Sequence, residues 1–158
     1  MGLYSYNILP INFCDYLINL YETDTGNHER VDKESKPTFT QLNLNKYHAN
    51  VVSNLCNYFS VALDFYKKDV PQAKYLPQVK YLEEFRIKKY AVGGQDRFDE
   101  HVDVVNHNSS RRCLAMLFYL NDIDSGGKTV FPYQNKEFTP KRGNVIIFPP
   151  TWEYPHLG

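Results

Sequence analysis

Cys113-Leu114-Ala115-Met116-Leu117-Phe118-Tyr119-Leu120-Asn121 sets the fold class of this chain. The run is apolar at odd and even positions alike, which predicts a central β-strand covered on both faces. Working outward from it, further strand-like runs fall at short intervals: residues 85–90, 101–105, 129–131, 137–139, 144–148 and 153–157. Turn-forming sequence separates them, namely Gly93-Gly94, residues 106–110, residues 122–127, residues 140–143 and Pro149-Pro150. Many short strands at such spacing predict an all-β sandwich or barrel.

The first half of the chain reads differently. Ile11, Cys14, Leu17, Ile18 and Tyr21 recur at helical spacing over residues 10–22. Residues 23–36 are polar and read as a mobile loop, and residues 39–44 alternate weakly, as an edge strand would. A long amphipathic helix is expected over residues 46–68, with Val51, Val52, Leu55, Phe59, Ala62, Leu63 and Tyr66 forming one apolar stripe. Pro71 and Pro77 close this part. The fold expected is therefore mainly β with N-terminal helices: a double-stranded β-helix, or jelly-roll barrel, supported by two helices. Residues 1–78 form the helical support region and residues 79–158 the barrel core, both within one compact domain.

Bulk properties narrow the function. Of 158 residues, 42% are hydrophobic and the formal net charge is zero, so there is no basic footprint for nucleic acid and no general attraction to anionic membranes. No apolar run approaches the length of a spanning helix, and the N-terminus carries neither a signal-peptide pattern nor a myristoylation pattern. Three scattered cysteines (Cys14, Cys56 and Cys113) suggest no disulfide framework and point to a reducing, cytoplasmic setting. Asn108-Ser109-Ser110 is read as a chance loop sequence rather than a glycosylation site.

His101-Val102-Asp103 carries the chemistry. Side chains two apart on an extended segment point to one face. A second imidazole from a distant strand, His156, would complete two nitrogens and one carboxylate. That set suits a non-haem Fe(II) with open coordination positions. Asp99 and Glu100 lack the alternating ladder and central glycine of a calcium loop, and are expected to face solvent or support the ligands.

An ordered series of motifs surrounds this pair. Tyr90-Ala91-Val92-Gly93-Gly94 leads to Phe98 and His101-Val102-Asp103. Tyr119-Leu120-Asn121-Asp122, Gly126-Gly127-Lys128-Thr129-Val130-Phe131 and Gly143 through Phe148-Pro149-Pro150 follow, and then Trp152 and Pro155-His156. The series, over roughly the second half of the chain, resembles the catalytic domain of prolyl 4-hydroxylases among the Fe(II)/2-oxoglutarate-dependent dioxygenases. The resemblance implies His101, Asp103 and His156 as iron ligands, and Tyr90 and Thr129 beside 2-oxoglutarate. It implies Arg112 as a contact to the peptide substrate, although Arg112 and its neighbour Arg111 also read as a solvated strand end. Phe98 stands where relatives often carry a substrate-contacting tyrosine, and lacks its hydroxyl. Related halogenases vacate the carboxylate position, so Asp103 favours hydroxylation. Fe(II), 2-oxoglutarate, O2 and ascorbate are the implied cofactors, and a proline-containing peptide or protein the implied substrate. Residues 23–36 and 93–97 are candidates for covering the site.

One departure stands out. The family places a Lys or Arg about one strand beyond the distal histidine to pair with the far carboxylate of 2-oxoglutarate, whereas this sequence ends two residues after His156, at Gly158. The expectation is of a shortened chain whose barrel lacks its last strand. Lys88, two before Tyr90 on the same strand face, is an alternative cation, although a solvated lysine is the ordinary reading. Hydroxylation of another amino acid or a small metabolite, and a catalytically silent jelly-roll binding module, are the alternatives to prolyl hydroxylation.

Overall fold

Asn144-Val145-Ile146-Ile147-Phe148 has no polar face to offer water beyond its first residue, and this is the strand about which the chain folds. In the computed structural model, which describes residues 2–34 and 37–158, eleven regular elements run in this order. They are β1 (Tyr4–Asn7), α1 (Ile11–Thr23), β2 (Glu29–Asp32), β3 (Thr38–Asn43), α2 (Leu44–Tyr47), α3 (Val52–Asp69), β4 (Arg86–Lys89), β5 (Ala115–Phe118), β6 (Thr129–Phe131), β7 (Lys136–Phe138) and β8 (Asn144–Phe148). β8 is the middle of an antiparallel sheet ordered β1-β8-β5, with Tyr6 opposite Val145 and Leu117 opposite Ile146. A second sheet is ordered β2-β3-β4, and β6 pairs with β7.

Alternation along β8 joins two layers of core. Ile146 and Phe148 face Leu3, Phe131 and Tyr154 inside the barrel, while Val145 and Ile147 face Ala62 and Tyr66 of α3. A third cluster joins Leu17 and Tyr21 of α1 to Leu42, Leu44, Val51 and Leu55 beneath the second sheet. Both expected helices thus pack as a support layer. Ile11, expected in the apolar stripe of α1, is instead exposed at the first turn.

Several expectations are corrected. The role of fully covered central strand falls to β8; β5 lies at a sheet edge and Leu117 is 38% exposed. Of the edge strand expected at 39–44, residues 39–43 lie on the middle strand of their sheet, because part of the expected loop at 23–36 forms β2 and pairs with β3 from Glu29–Gln41 to Asp32–Thr38. Ser35 and Lys36 of that loop lie outside the described residues. The helix expected at 46–68 is divided. The Asn43 side chain accepts a hydrogen bond from Lys46 N, so helix begins early at Leu44. At His48 the backbone leaves helical geometry, and its Nε2 sits 2.7 Å from Asp24 Oδ2. The N-terminal region also supplies β1, β2 and β3, so it is not purely helical. Among the described residues no helix is long and apolar enough to cross a membrane.

Gly143 turns the chain into β8. Its φ of +87° lies in the left-handed region, its carbonyl accepts from Ile8 N and Leu9 N, and a Cβ there would approach Leu9 O to 2.4 Å. Gly143→Ala is expected to cost roughly 2–4 kcal/mol, from left-handed strain plus overpacking against backbone. Urea unfolding monitored by far-UV circular dichroism checks this; an unchanged midpoint would contradict it.

Candidate metal centre

His101 and His156 are brought together by backbone pairing. Each N–H donates to the other's carbonyl, at 3.0 and 2.9 Å, in one antiparallel bridge. Phe98 and Gly158 pair similarly, three residues before His101 and two after His156, and Leu157 pairs with Val130 on the other side. The segments expected as strands at 101–105 and 153–157 are therefore reduced to isolated bridges. The short pairing still fixes both imidazoles on one side. Asp103 N and Val104 N both donate to Pro150 O, at 3.2 and 3.0 Å, which turns the segment so that the Asp103 carboxylate faces them.

The three side chains converge as the spacing predicts. Asp103 Oδ1 lies 3.4 Å from His101 Nε2 and 3.8 Å from His156 Nε2. One ligand atom from each residue lies within 4.8 Å of the others. The other ring nitrogens decide the tautomers. His101 Nδ1 lies 2.8 Å from Asp99 O and His156 Nδ1 3.1 Å from Tyr154 O. A carbonyl only accepts, so each Nδ1 donates, which leaves each Nε2, on the Asp103 side, as the nitrogen that would give up its proton to bind a metal. Two neutral imidazole nitrogens and one carboxylate, oriented by hydrogen bonds behind them, fit a divalent transition metal of the non-haem iron type.

The surroundings differ between the histidines. His156 is buried between Phe131, stacked at 5.4 Å, and Phe148, edge-on at 4.9 Å. Burial holds its pKa below the ordinary histidine value. His101 is more open and stacks on Phe98 at 5.1 Å; its hydrogen bond with Asp103 raises it. For Asp103, burial works to raise the carboxyl. Hydrogen bonding to His101 and the charges of His156, His101 and Arg112 outweigh it and hold the group low.

The remaining predicted residues connect to the triad to different degrees, Phe98 through its stacking on His101 and Arg112 through the Asp103 carbonyl. Tyr90 packs with Phe39 and Phe98 in a ring cluster 5.4–5.6 Å between centres. Burial, with Asp96 and Tyr119 nearby, pushes its phenol well above the usual range, so the hydroxyl stays protonated. Thr129 Oγ1 is 2.5 Å from Tyr119 Oη. Tyr119 has no role in the sequence reading; its hydroxyl bonds Thr129 and lies near the Tyr90 phenol because the fold sets the end of β5 beside β6. Arg112 reaches back to the ligands: Nη1 donates to Asp103 O at 2.8 Å and Nε to Glu83 Oε1 at 2.9 Å.

The segments expected to cover the site are tied to one another. Arg30 of β2 makes a two-pronged pair with Asp96, at 2.6 and 3.1 Å, and Thr38 accepts from Arg97 N while donating to Gln95 O.

Comparison with known proteins agrees with this geometry. Residues 85–158 match the family model of the 2OG-Fe(II) oxygenase superfamily. Sequence relatives include "Probable prolyl 4-hydroxylase 9" of Arabidopsis thaliana, 37% identical over 79 residues, covering 47% of this chain and 26% of the relative. Human prolyl 4-hydroxylase subunit alpha-1 is 31% identical over 75 residues, covering 42% of this chain and 14% of the relative. The chain spans less than half the length of the curated relatives it matches. Two solved structures share the fold at lower identity. The viral collagen prolyl hydroxylase of Paramecium Bursaria Chlorella virus-1, in its 2OG complex, has a TM-score of 0.64 at 18% identity, over 100% of this chain and 87% of that one. A Pseudomonas putida prolyl-4-hydroxylase has a TM-score of 0.65 at 20% identity, over 99% of this chain and 83% of that one. These likenesses establish the jelly-roll architecture, and the stretch similar to the 2OG-Fe(II) oxygenase superfamily model, residues 85–158, is the one that holds His101, Asp103 and His156.

Proposed function

We propose that this protein is an Fe(II)- and 2-oxoglutarate-dependent dioxygenase that hydroxylates an unactivated C–H bond of a peptidyl proline. The observation that carries the reading is the pair of imidazoles, each fixed by a backbone carbonyl to aim Nε2 at the Asp103 carboxylate. His101, Asp103 and His156 would hold the iron. When bound, iron and 2-oxoglutarate supply the oxidative chemistry, in which O2 gives one oxygen atom to the prolyl C–H and the other to succinate as CO2 leaves. Ascorbate would keep the metal reduced between turnovers.

The chain's own residues orient and shield. Phe131 and Phe148 exclude water from the His156 side, and Phe98 covers the outer face of His101. Tyr90 and Thr129 offer hydroxyl groups to the co-substrate, with Tyr119 supporting Thr129. Arg112 positions the Asp103 backbone with Nη1 and leaves Nη2, unbonded among the described residues, for a substrate carbonyl. Phe98 would meet substrate through its ring edge only. Cys14, Cys56 and Cys113 are all free, which supports a reducing compartment such as the cytoplasm.

Anaerobic addition of Fe(II) and then 2-oxoglutarate is expected to give the weak visible charge-transfer band of the chelate, followed by succinate when oxygen is admitted. Asp103→Ala is expected to abolish both. A band of equal strength in that variant would sink the ligand assignment, and the mass of the peptide product tests proline against other acceptors. Arg112→Ala, which leaves the three ligands intact, is expected to raise the Fe(II) concentration for half-maximal succinate formation on the order of tenfold, the usual cost of removing a group that orients a ligand. An unchanged iron requirement would show that Arg112 does not position Asp103.

A further inference from the structure

Residues 91–95 are exposed and belong to none of the three core clusters, yet they carry the chain from Tyr90 toward Phe98. Gly93 and Gly94 make the turn with φ of +99° and +102°, and a Cβ on either would meet nothing. Packing therefore does not decide where this turn lies. A polar clamp does.

The Asp96 carboxylate is the centre of that clamp, its side chain only 4% exposed in an otherwise open stretch. Oδ2 accepts from Ala91 N at 2.9 Å, which closes the turn on itself. The guanidinium of Arg30 grips both oxygens, with Nη2 2.6 Å from Oδ1 and Nη1 3.1 Å from Oδ2. Arg30 stands on β2, so the turn is held from a strand far back in the chain. Thr38, buried at the start of β3, holds the same segment from a second side. Its hydroxyl donates to Gln95 O at 2.8 Å and accepts from Arg97 N at 3.2 Å, and its N–H donates to Arg97 O at 3.1 Å.

Phe98 emerges from between these anchors. Its N–H and carbonyl pair with Gly158, and its ring lies against those of Phe39, Tyr90 and His101. The contact with His101 is a stack, with ring centres 5.1 Å apart and 24° between the planes. The imidazole is thus oriented twice, by Asp99 O at Nδ1 and by the Phe98 ring across its face. A two-pronged guanidinium–carboxylate pair fixes direction as well as distance. Without the cation, the shielded carboxylate would swing out to water and take the turn with it. Resting on the ligand assignment proposed above, we infer that the Arg30–Asp96 pair positions the metal centre, acting through Phe98 on the His101 imidazole. Arg30 and Asp96 are positioning residues, not ligands.

A double-mutant cycle on the full chain tests this with Co(II), whose visible d–d bands report both binding and ligand geometry. Arg30→Met is expected to weaken Co(II) binding about tenfold, the lower end for a group that orients a ligand, and to shift the bands at saturation. Arg30→Lys, which keeps the charge without the fork, should recover part of the affinity. In a Phe98→Leu background, Arg30→Met should weaken binding less than about twofold, because the path through the ring is already cut. Far-UV circular dichroism checks that each variant is folded, and Asp96→Asn replaces Arg30→Met, with the same expectations, if the latter does not fold. Unchanged affinity and bands, or an equal loss with and without the Phe98 ring, overturns the inference and leaves the ligand assignment in place. A wild type that binds no Co(II) overturns the ligand assignment as well.

Discussion

Two hydrogen bonds between the backbones of His101 and His156 are the constraint on which the site depends. They join residues 55 positions apart and set two imidazoles side by side, with ring centres 4.4 Å apart. Behind each ring, a hydrogen bond to the carbonyl two residues before it sets the orientation of the imidazole. The bridge needs a rigid neighbour, and Val130 supplies it by pairing with Leu157, so the distal histidine segment is held on both edges. A metal would then lock an arrangement that backbone pairing has already prepared.

The rest of the fold keeps that bridge in register. Four consecutive residues of β8, Val145 to Phe148, are wholly buried, and each contributes on the order of 1.5–3 kcal/mol by leaving water. Their alternation binds the barrel interior to α3 and leaves Phe131 and Phe148 packed against His156. The N-terminal segment completes this support. β1 lies along β8, Tyr66 Oη donates to Gly2 O at 2.7 Å, and Gly2 N donates to Tyr154 Oη at 2.8 Å, two residues before the distal histidine. Burial raises the Tyr66 phenol to about 12, so that hydroxyl remains a donor through the physiological range. A polar interlock thus ties the first strand to the loop that presents a ligand.

The convergence of His101, Asp103 and His156 was legible in the sequence on two grounds. The period of two puts His101 and Asp103 on one face, and the resemblance of the surrounding motif series implies His156 as their partner. The extent of β6 and β8 was legible for a similar reason, since turn residues bound them tightly. What the tertiary structure decided were matters of neighbourhood. Tyr4-Ser5-Tyr6-Asn7 carries too short a pattern to announce a strand, and becomes one because β8 offers it an open edge. Glu29–Asp32 is polar by composition but forms β2 because β3 lies beside it. β5 is as apolar as a central strand yet sits at an edge, since burial depends on which elements come to cover it and not on hydrophobicity alone. The surroundings of Lys88 belong to the same class: the lysine is exposed, as its sequence suggests, but Phe39 and Phe98 from two distant segments come to lie beneath its ammonium. Local periodicity is written into the chain, whereas partners across tens of residues are chosen only when the whole core packs.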